Sequence, residues 1–166
     1  GTIRLSNWYP VVAPVDREEK NWVSFEELPF GDPYYYEAAL FTGTIKAPGD
    51  RQVISPFVPG KKQGLSKNNY IIDSVYPARD CTFVIGTGFR EVSQRVGRIH
   101  VEYYFQNEDR GFAAYGKDVL EYYLPLLGSY PYSRLVLVDL PLSNYFGMEF
   151  SGMVFLSTSY YVGMKT

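Results

Sequence analysis

The chain has 166 residues, a formal net charge of −2, and a composition that is 46% hydrophobic and 20% charged, all typical of a globular protein with one or two small domains. We expect no membrane segment, because no run of the sequence approaches the ~18 consecutive apolar residues of a spanning helix. We also expect no nucleic-acid partner: the one basic cluster, Lys61, Lys62 and Lys67, lies in a Gly- and Asn-containing stretch typical of a surface loop.

The N-terminal half reads as short strands separated by turns. The charged, proline-bounded segment 14–33 is typical of a surface excursion, and apolar runs of strand length follow it. In the last of these runs Cys81, Phe83 and Ile85 alternate with Thr82 and Val84, so the two sets should face opposite ways. The runs themselves occupy residues 34–46, 51–55, 68–76 and 81–89.

A polar, glycine-containing stretch at residues 90–98 indicates a junction between two domains, which we place at 1–91 and 98–166. After it, residues 99–105 alternate as a half-buried strand does, with His100, Glu102 and Tyr104 on the polar face. Together, the two halves of the chain indicate a fold class that is mostly β with α+β character. It begins with an antiparallel β-sandwich-like lobe.

One helix is predicted between residues 107 and 128. Asn107 or Asp109 can cap its start and Gly128 its end, while Pro125 should kink the last turn or end it early. The apolar residues at helical spacing are Phe112, Tyr115, Val119, Leu120, Tyr123 and Leu127. The run 135–140 then predicts an interior strand, and another strand follows at 152–161. One helix cannot cover such a sheet, so we expect the chain to be a truncated piece.

The sequence offers no catalytic apparatus of its own. Its single histidine, His100, and single cysteine, Cys81, are too few for a zinc site, and no H-E-x-x-H, Walker or G-x-S-x-G pattern occurs. We expect no metal and no cofactor to be held by this chain.

Glu149 is the one residue that raises a functional question. It stands among glycines, methionines and aromatics in the segment 144–157, where a buried and unpaired carboxylate would be costly. Either Glu149 is a solvent-exposed charge on an edge strand, or it lies beside a cleft and receives a cationic ligand group while the strand edge pairs with an extended peptide.

The segment FGMEFSGMVFLS resembles the G-x-M-E-N motif of the aminopeptidase N and leukotriene hydrolase family of zinc peptidases, the gluzincin aminopeptidases. Residues 8–10, 31–48 and 76–89 look like the N-terminal β-domain of that family, and residues 101–141 are similar to the opening strand, helix and strand of its thermolysin-like catalytic domain. Phe146 stands where the family has its first glycine, and Phe150 where it has asparagine.

The resemblance implies a fragment that ends before the zinc-binding helix. Zinc is then expected only in the full-length parent, with a peptide as substrate. Glu149 would bind the free α-amine of that substrate, and Gly147 and Met148 would contact it through their backbones. Two alternatives remain open: an aromatic-rich β-domain that binds peptide or carbohydrate without catalysis, and a degenerate peptidase-like scaffold.

Overall fold

The computed structural model describes residues 1–23, 37–58 and 69–159, and within them it confirms the mostly-β, α+β class. One five-stranded sheet and three smaller antiparallel sheets make up the described strands. The lysine cluster at 61–67, and parts of the runs predicted at 14–33, 34–46 and 152–161, fall outside the described residues.

Short strands of the N-terminal part form the smaller sheets. We call the described residues that precede the five-stranded sheet the N-terminal lobe. Cys81, Phe83 and Ile85 pack in one apolar cluster and Val84 in another, which confirms the two faces that the sequence predicts. The strands are β1 (Ile3–Leu5), β2 (Val15–Asp16), β3 (Asn21–Trp22), β4 (Thr42–Lys46), β5 (Gln52–Ile54), β6 (Asn69–Asp73) and β7 (Phe83–Gly86), with sheets β1-β7-β5, β2-β3 and β4-β6.

The five-stranded sheet has the order β11-β12-β10-β9-β8 and carries the single helix of the described residues on one face. Its three central strands, β9, β10 and β12, are parallel, and an antiparallel strand closes each edge. The elements are β8 (Arg90–Val96), β9 (Ile99–Phe105), α1 (Phe112–Leu127), β10 (Arg134–Leu140), β11 (Gly147–Phe150) and β12 (Met153–Ser157).

The stretch interpreted as a domain junction is a strand instead. Residues Arg90–Val96 form β8, which pairs along its whole length with β9 through a tight turn at Gly97, where φ is +54°. The polar composition that suggested a linker is that of an edge strand with much of its surface in solvent. The division into domains 1–91 and 98–166 stays a prediction, but no free linker lies at that boundary.

The helix begins at Phe112, with Gly111 before it at φ +73°, and the Asp109 side chain accepts a hydrogen bond from the Gly111 N–H at 2.8 Å. It continues through Pro125 to Leu127 and ends at Gly128, so the predicted end at this glycine is confirmed. No helix of residues 1–23, 37–58 or 69–159 is long and apolar enough to cross a membrane.

The face of α1 that lies on the sheet is formed by Ala113, Gly116 and Leu120, and of these only Leu120 is among the six residues predicted from the apolar spacing. A Cβ on Gly116 would lie 2.8 Å from Val101 Cγ1 and 3.0 Å from Leu137 Cδ1, so the helix sits too close to the sheet for a larger residue here. Small residues thus form the closest part of the interface, and most of the predicted aromatic and aliphatic residues are exposed.

Strand β9 is buried on both faces and not only on one. Glu102 and Tyr104, expected on a polar face, are covered by the N-terminal lobe. The Arg134 guanidinium binds both oxygens of Glu102, and Tyr104 donates a hydrogen bond to Glu102 Oε2 at 3.0 Å. A second terminal nitrogen of Arg134 donates to the carbonyls of Ser55 and Val58, so one side chain joins the lobe to the sheet.

Replacing Arg134 with methionine should lower the free energy of unfolding by roughly 3–5 kcal/mol, because Glu102 then stays buried without its cation. Urea denaturation measures the change. The matched control is Arg98→Met, an exposed arginine just before β9 that should cost less than about 0.5 kcal/mol. Equal losses in the two variants would contradict the role given to Arg134.

Candidate functional site

Glu149 lies on β11, the edge strand of the five-stranded sheet, and its side chain is exposed. Met148 and Phe150, its neighbours in the strand, pack against the cluster under the N-terminal lobe, with the rings of Phe150 and Phe155 4.9 Å apart. Since side chains alternate along a strand, Glu149 and Gly147 face the other way, toward the side that carries α1. Both hypotheses for Glu149 place it on an edge strand, and β11 is an edge strand of the five-stranded sheet.

The backbone groups of β11 divide between its neighbour and the open edge. Ser157 N–H donates to Phe146 C=O at 2.9 Å, and these residues continue by one step the β11–β12 register, in which Gly147 is opposite Leu156. Because bonded pairs alternate in an antiparallel ladder, Met148 and Phe150 also bond to β12, whereas Gly147 and Glu149 direct their N–H and C=O groups outward. No other strand within the described residues pairs with this outer side.

This pattern changes the expected roles at the site. Gly147 offers outward backbone groups, as the resemblance implies, but the backbone of Met148 is turned to β12 and is not free for a ligand. The second outward residue is Glu149 itself. The site therefore combines one exposed carboxylate with two pairs of open backbone groups, which is an arrangement that can bind an extended peptide and a cation near it.

The turn between β11 and β12 is held by the N-terminal lobe. Asp80 accepts hydrogen bonds from the Ser151 N–H at 3.0 Å and from the Ser151 hydroxyl at 3.1 Å. The next residue, Gly152, has φ +75°, and a Cβ there would lie 2.9 Å from Pro56 Cβ. The lobe thus fixes the position of the hairpin that presents Glu149.

A second polar group on the same face of the sheet was not found from the sequence. Tyr103 donates a 2.7 Å hydrogen bond to Asp139 Oδ2, and Arg110 Nε lies 3.8 Å from the same oxygen. Burial raises the pKa of Asp139, against the opposing effects of Tyr103 and Arg110. Asp139 is the one polar residue of the apolar run 135–140, and nothing in that run indicates a polar partner on another strand.

Asp139 lies too deep to meet a ligand directly. It is buried, and its β12 neighbour Leu156 separates it from Gly147 in one row across the sheet. Arg110 also approaches the Thr158 carbonyl, at 3.4 Å, so the group ties the segment before α1 to the ends of β10 and β12. We assign it a structural role.

The described residues do not fit a zinc site. His100 lies on β9 with the same alternation as Glu102, so its side chain is on the face opposite Glu149, and Cys81 is buried in the N-terminal lobe. Burial raises the pKa of the Cys81 thiol to about 11, so the free thiol stays protonated at neutral pH. In the described ranges no three His, Cys, Asp or Glu side chains come together to hold a metal ion.

Comparisons with known proteins found no family model that matches the chain and no matching curated protein.

The close packing of the β11–β12 turn predicts that a larger residue at Gly152 destabilises the protein. Alanine at Gly152 must adopt a positive φ and also overlap Pro56, whereas alanine at Gly97 meets the same backbone strain with nothing within 4 Å. Gly152→Ala should therefore destabilise the protein by about 1–3 kcal/mol more than Gly97→Ala, in the range of an overpacked core. Thermal and urea unfolding of the two variants give the comparison, and a smaller loss for Gly152→Ala would refute the packing described here.

The contribution of Asp80 to the stability of the protein should depend on pH. Burial raises the pKa of Asp80, and the hydrogen bonds from Ser151 oppose that rise without cancelling it. A carboxyl group whose pKa is higher folded than unfolded contributes stability at low pH, below the unfolded value near 3.9, and this contribution disappears as pH rises through the folded pKa. The free energy of unfolding of Asp80→Asn should therefore be lower than that of wild type by a smaller amount at pH 7 than at about pH 3.5. A loss that grows with pH would rule out the raised pKa.

Proposed function

We propose that the chain is part of a zinc-dependent aminopeptidase-like protein, contributing the N-terminal β-domain and the edge strand that receives the amino end of a peptide substrate. The observation that carries the proposal is the open edge of β11, where outward backbone groups of Gly147 and Glu149 lie beside the exposed Glu149 carboxylate. The motif resemblance of residues 146–157 supplies the chemical identity of the ligand.

The division of roles follows from the residues at the edge. An extended peptide that adds to β11 would bond to the backbone of Gly147 and Glu149, which fixes its direction and register. The side chain of Glu149 then lies on the α1 face and can accept hydrogen bonds from the α-amine, which marks the end of the peptide. Gly147 has no side chain to obstruct that face.

This chain by itself would bind but not hydrolyse a peptide. The described residues offer no group of zinc ligands, so in the proposal the metal and the residues that hold it belong to another part of the parent protein. The proposal therefore gives this chain a binding role, and the reaction itself is left to the parent.

Binding to the isolated chain tests the proposal. A peptide labelled at its C-terminus should bind the wild-type chain more tightly with a free α-amine than with an acetylated one, measured by fluorescence anisotropy. Glu149→Gln should weaken binding of the free-amine peptide about ten- to a hundred-fold, since hydrogen bonds to charged groups are worth about 1.5–3 kcal/mol. The acetylated peptide should bind both proteins equally.

The matched control is Glu91→Gln, which removes an exposed carboxylate from β8, the opposite edge of the same sheet, and should leave both affinities unchanged. If wild type does not distinguish the two peptides, the amine contact is wrong. Equal, Glu149-independent binding of both peptides would instead favour the non-catalytic peptide-binding domain.

A further inference from the structure

The outer face of α1 carries a continuous apolar stripe that nothing in the described structure covers. The exposed fractions are 65% for Tyr115, 50% for Val119, 66% for Tyr122 and 65% for Leu126. These residues are spaced four, three and four apart, so at 100° per residue they fall within about 60° of one another around the helix. This is the spacing of a seam by which one helix packs along another.

The area of this surface is large for a monomer. Two further exposed residues, Tyr123 and Leu127, extend the stripe toward the sheet. With about 200 Å² for a whole tyrosine side chain and somewhat less for leucine and valine, the six residues expose roughly 600–700 Å². The largest apolar patch of a typical monomer is about 300–600 Å². A stable interface needs about 800 Å² from each partner, which the stripe and its immediate border can supply.

The charged side chains of α1 lie outside the stripe. Lys117 bonds to Glu121 at 2.7 Å along the polar side of α1, and Asp118 flanks the stripe without entering it. A partner for this surface must therefore be apolar along a length of three helical turns and need not carry a particular charge.

A second copy of the same helix meets these requirements when it runs antiparallel. About a two-fold axis between Val119 and Tyr122, Tyr115 would face Leu126 of the other copy, and Val119 would face its Tyr122. Each layer then pairs a tyrosine with a smaller aliphatic residue, which fills space evenly. A parallel pair would instead place tyrosine on tyrosine in two of the four layers.

We propose that the chain forms a two-fold symmetric dimer through the stripe of Tyr115, Val119, Tyr122 and Leu126 on α1. The helix lies on its own sheet through Ala113, Gly116 and Leu120, so pairing through the separate, exposed surface of the stripe leaves the fold of each copy unchanged. The dimer is independent of the role proposed for Glu149, which is on another element.

Sedimentation equilibrium of the chain as it stands gives the test. At about 100 μM, well above a micromolar dissociation constant, we expect twice the chain mass of 19.0 kDa. Tyr122→Glu and Leu126→Lys should each give the monomer mass with an unchanged far-ultraviolet circular dichroism spectrum. The matched control, Ala114→Glu, adds a charge to an exposed position on the polar side of the same helix and should remain dimeric.

Wild-type chain that is monomeric at this concentration would overturn the proposal and leave the stripe to another part of the parent protein or to a different protein. Loss of the dimer in Ala114→Glu as well would show that the stripe is not the interface.

Cysteine cross-linking tests the antiparallel arrangement. The only native cysteine, Cys81, is buried, so new thiols on α1 react without competition. A mixture of Val119→Cys and Tyr122→Cys chains should form the mixed disulfide faster than either variant forms its own. Faster formation of the two homodimeric disulfides would mean a parallel pair, and the arrangement proposed here would be wrong.

Discussion

The ion pair between Arg134 and Glu102 is the interaction on which the arrangement of the two parts depends. It joins the first residue of β10 to the middle of β9, and the same guanidinium reaches the carbonyls of Ser55 and Val58, which follow β5. A buried charge is tolerated only when it is paired and its hydrogen bonds are complete. Arg134 achieves this only when the N-terminal lobe is in place, so the sheet and the lobe stabilise each other.

The position of β11 follows from that constraint. With the lobe docked, Ile54, Val84 and Phe89 complete an apolar cluster with residues of β10 and β12. Asp80 and Pro56 then meet the turn at Ser151 and Gly152, and this turn sets where the edge strand lies. The outward backbone groups of Gly147 and Glu149 are thus placed by contacts from residues far away in the sequence.

The sequence predicted the structural features that depend on neighbouring residues. Alternation identified the strands β7 and β9, and glycine identified the end of α1, because period and capping are properties of neighbouring residues. The surroundings of Glu149 in the sequence singled it out, and the edge position of its strand agrees with the hypotheses drawn from those residues. The resemblance of residues 146–157 added the expected role in binding an amine.

What the sequence could not reveal depends on distant partners. Glu102 looked solvent-facing because its cation comes 32 residues later, and Asp139 looked like part of an apolar strand because Tyr103 lies on a different one. Most of the buried face of α1 was missed because close packing on the sheet requires small residues at Ala113 and Gly116, and a search for large apolar residues finds mainly exposed ones. The polar strand β8 resembled a linker because an edge strand has little need of apolar residues.

The distribution of tryptophan has a practical consequence for following this molecule in solution. Both tryptophans belong to the N-terminal lobe: Trp22 is exposed in β3, while the Trp8 indole donates a 2.7 Å hydrogen bond to the Cys81 carbonyl and packs edge-on against Phe83. Tryptophan emission therefore reports the lobe alone, and circular dichroism of the helix reports the sheet side alone. The two spectroscopic signals view opposite sides of the Arg134 contact, so the lag between them measures how tightly that contact couples the two halves of the chain.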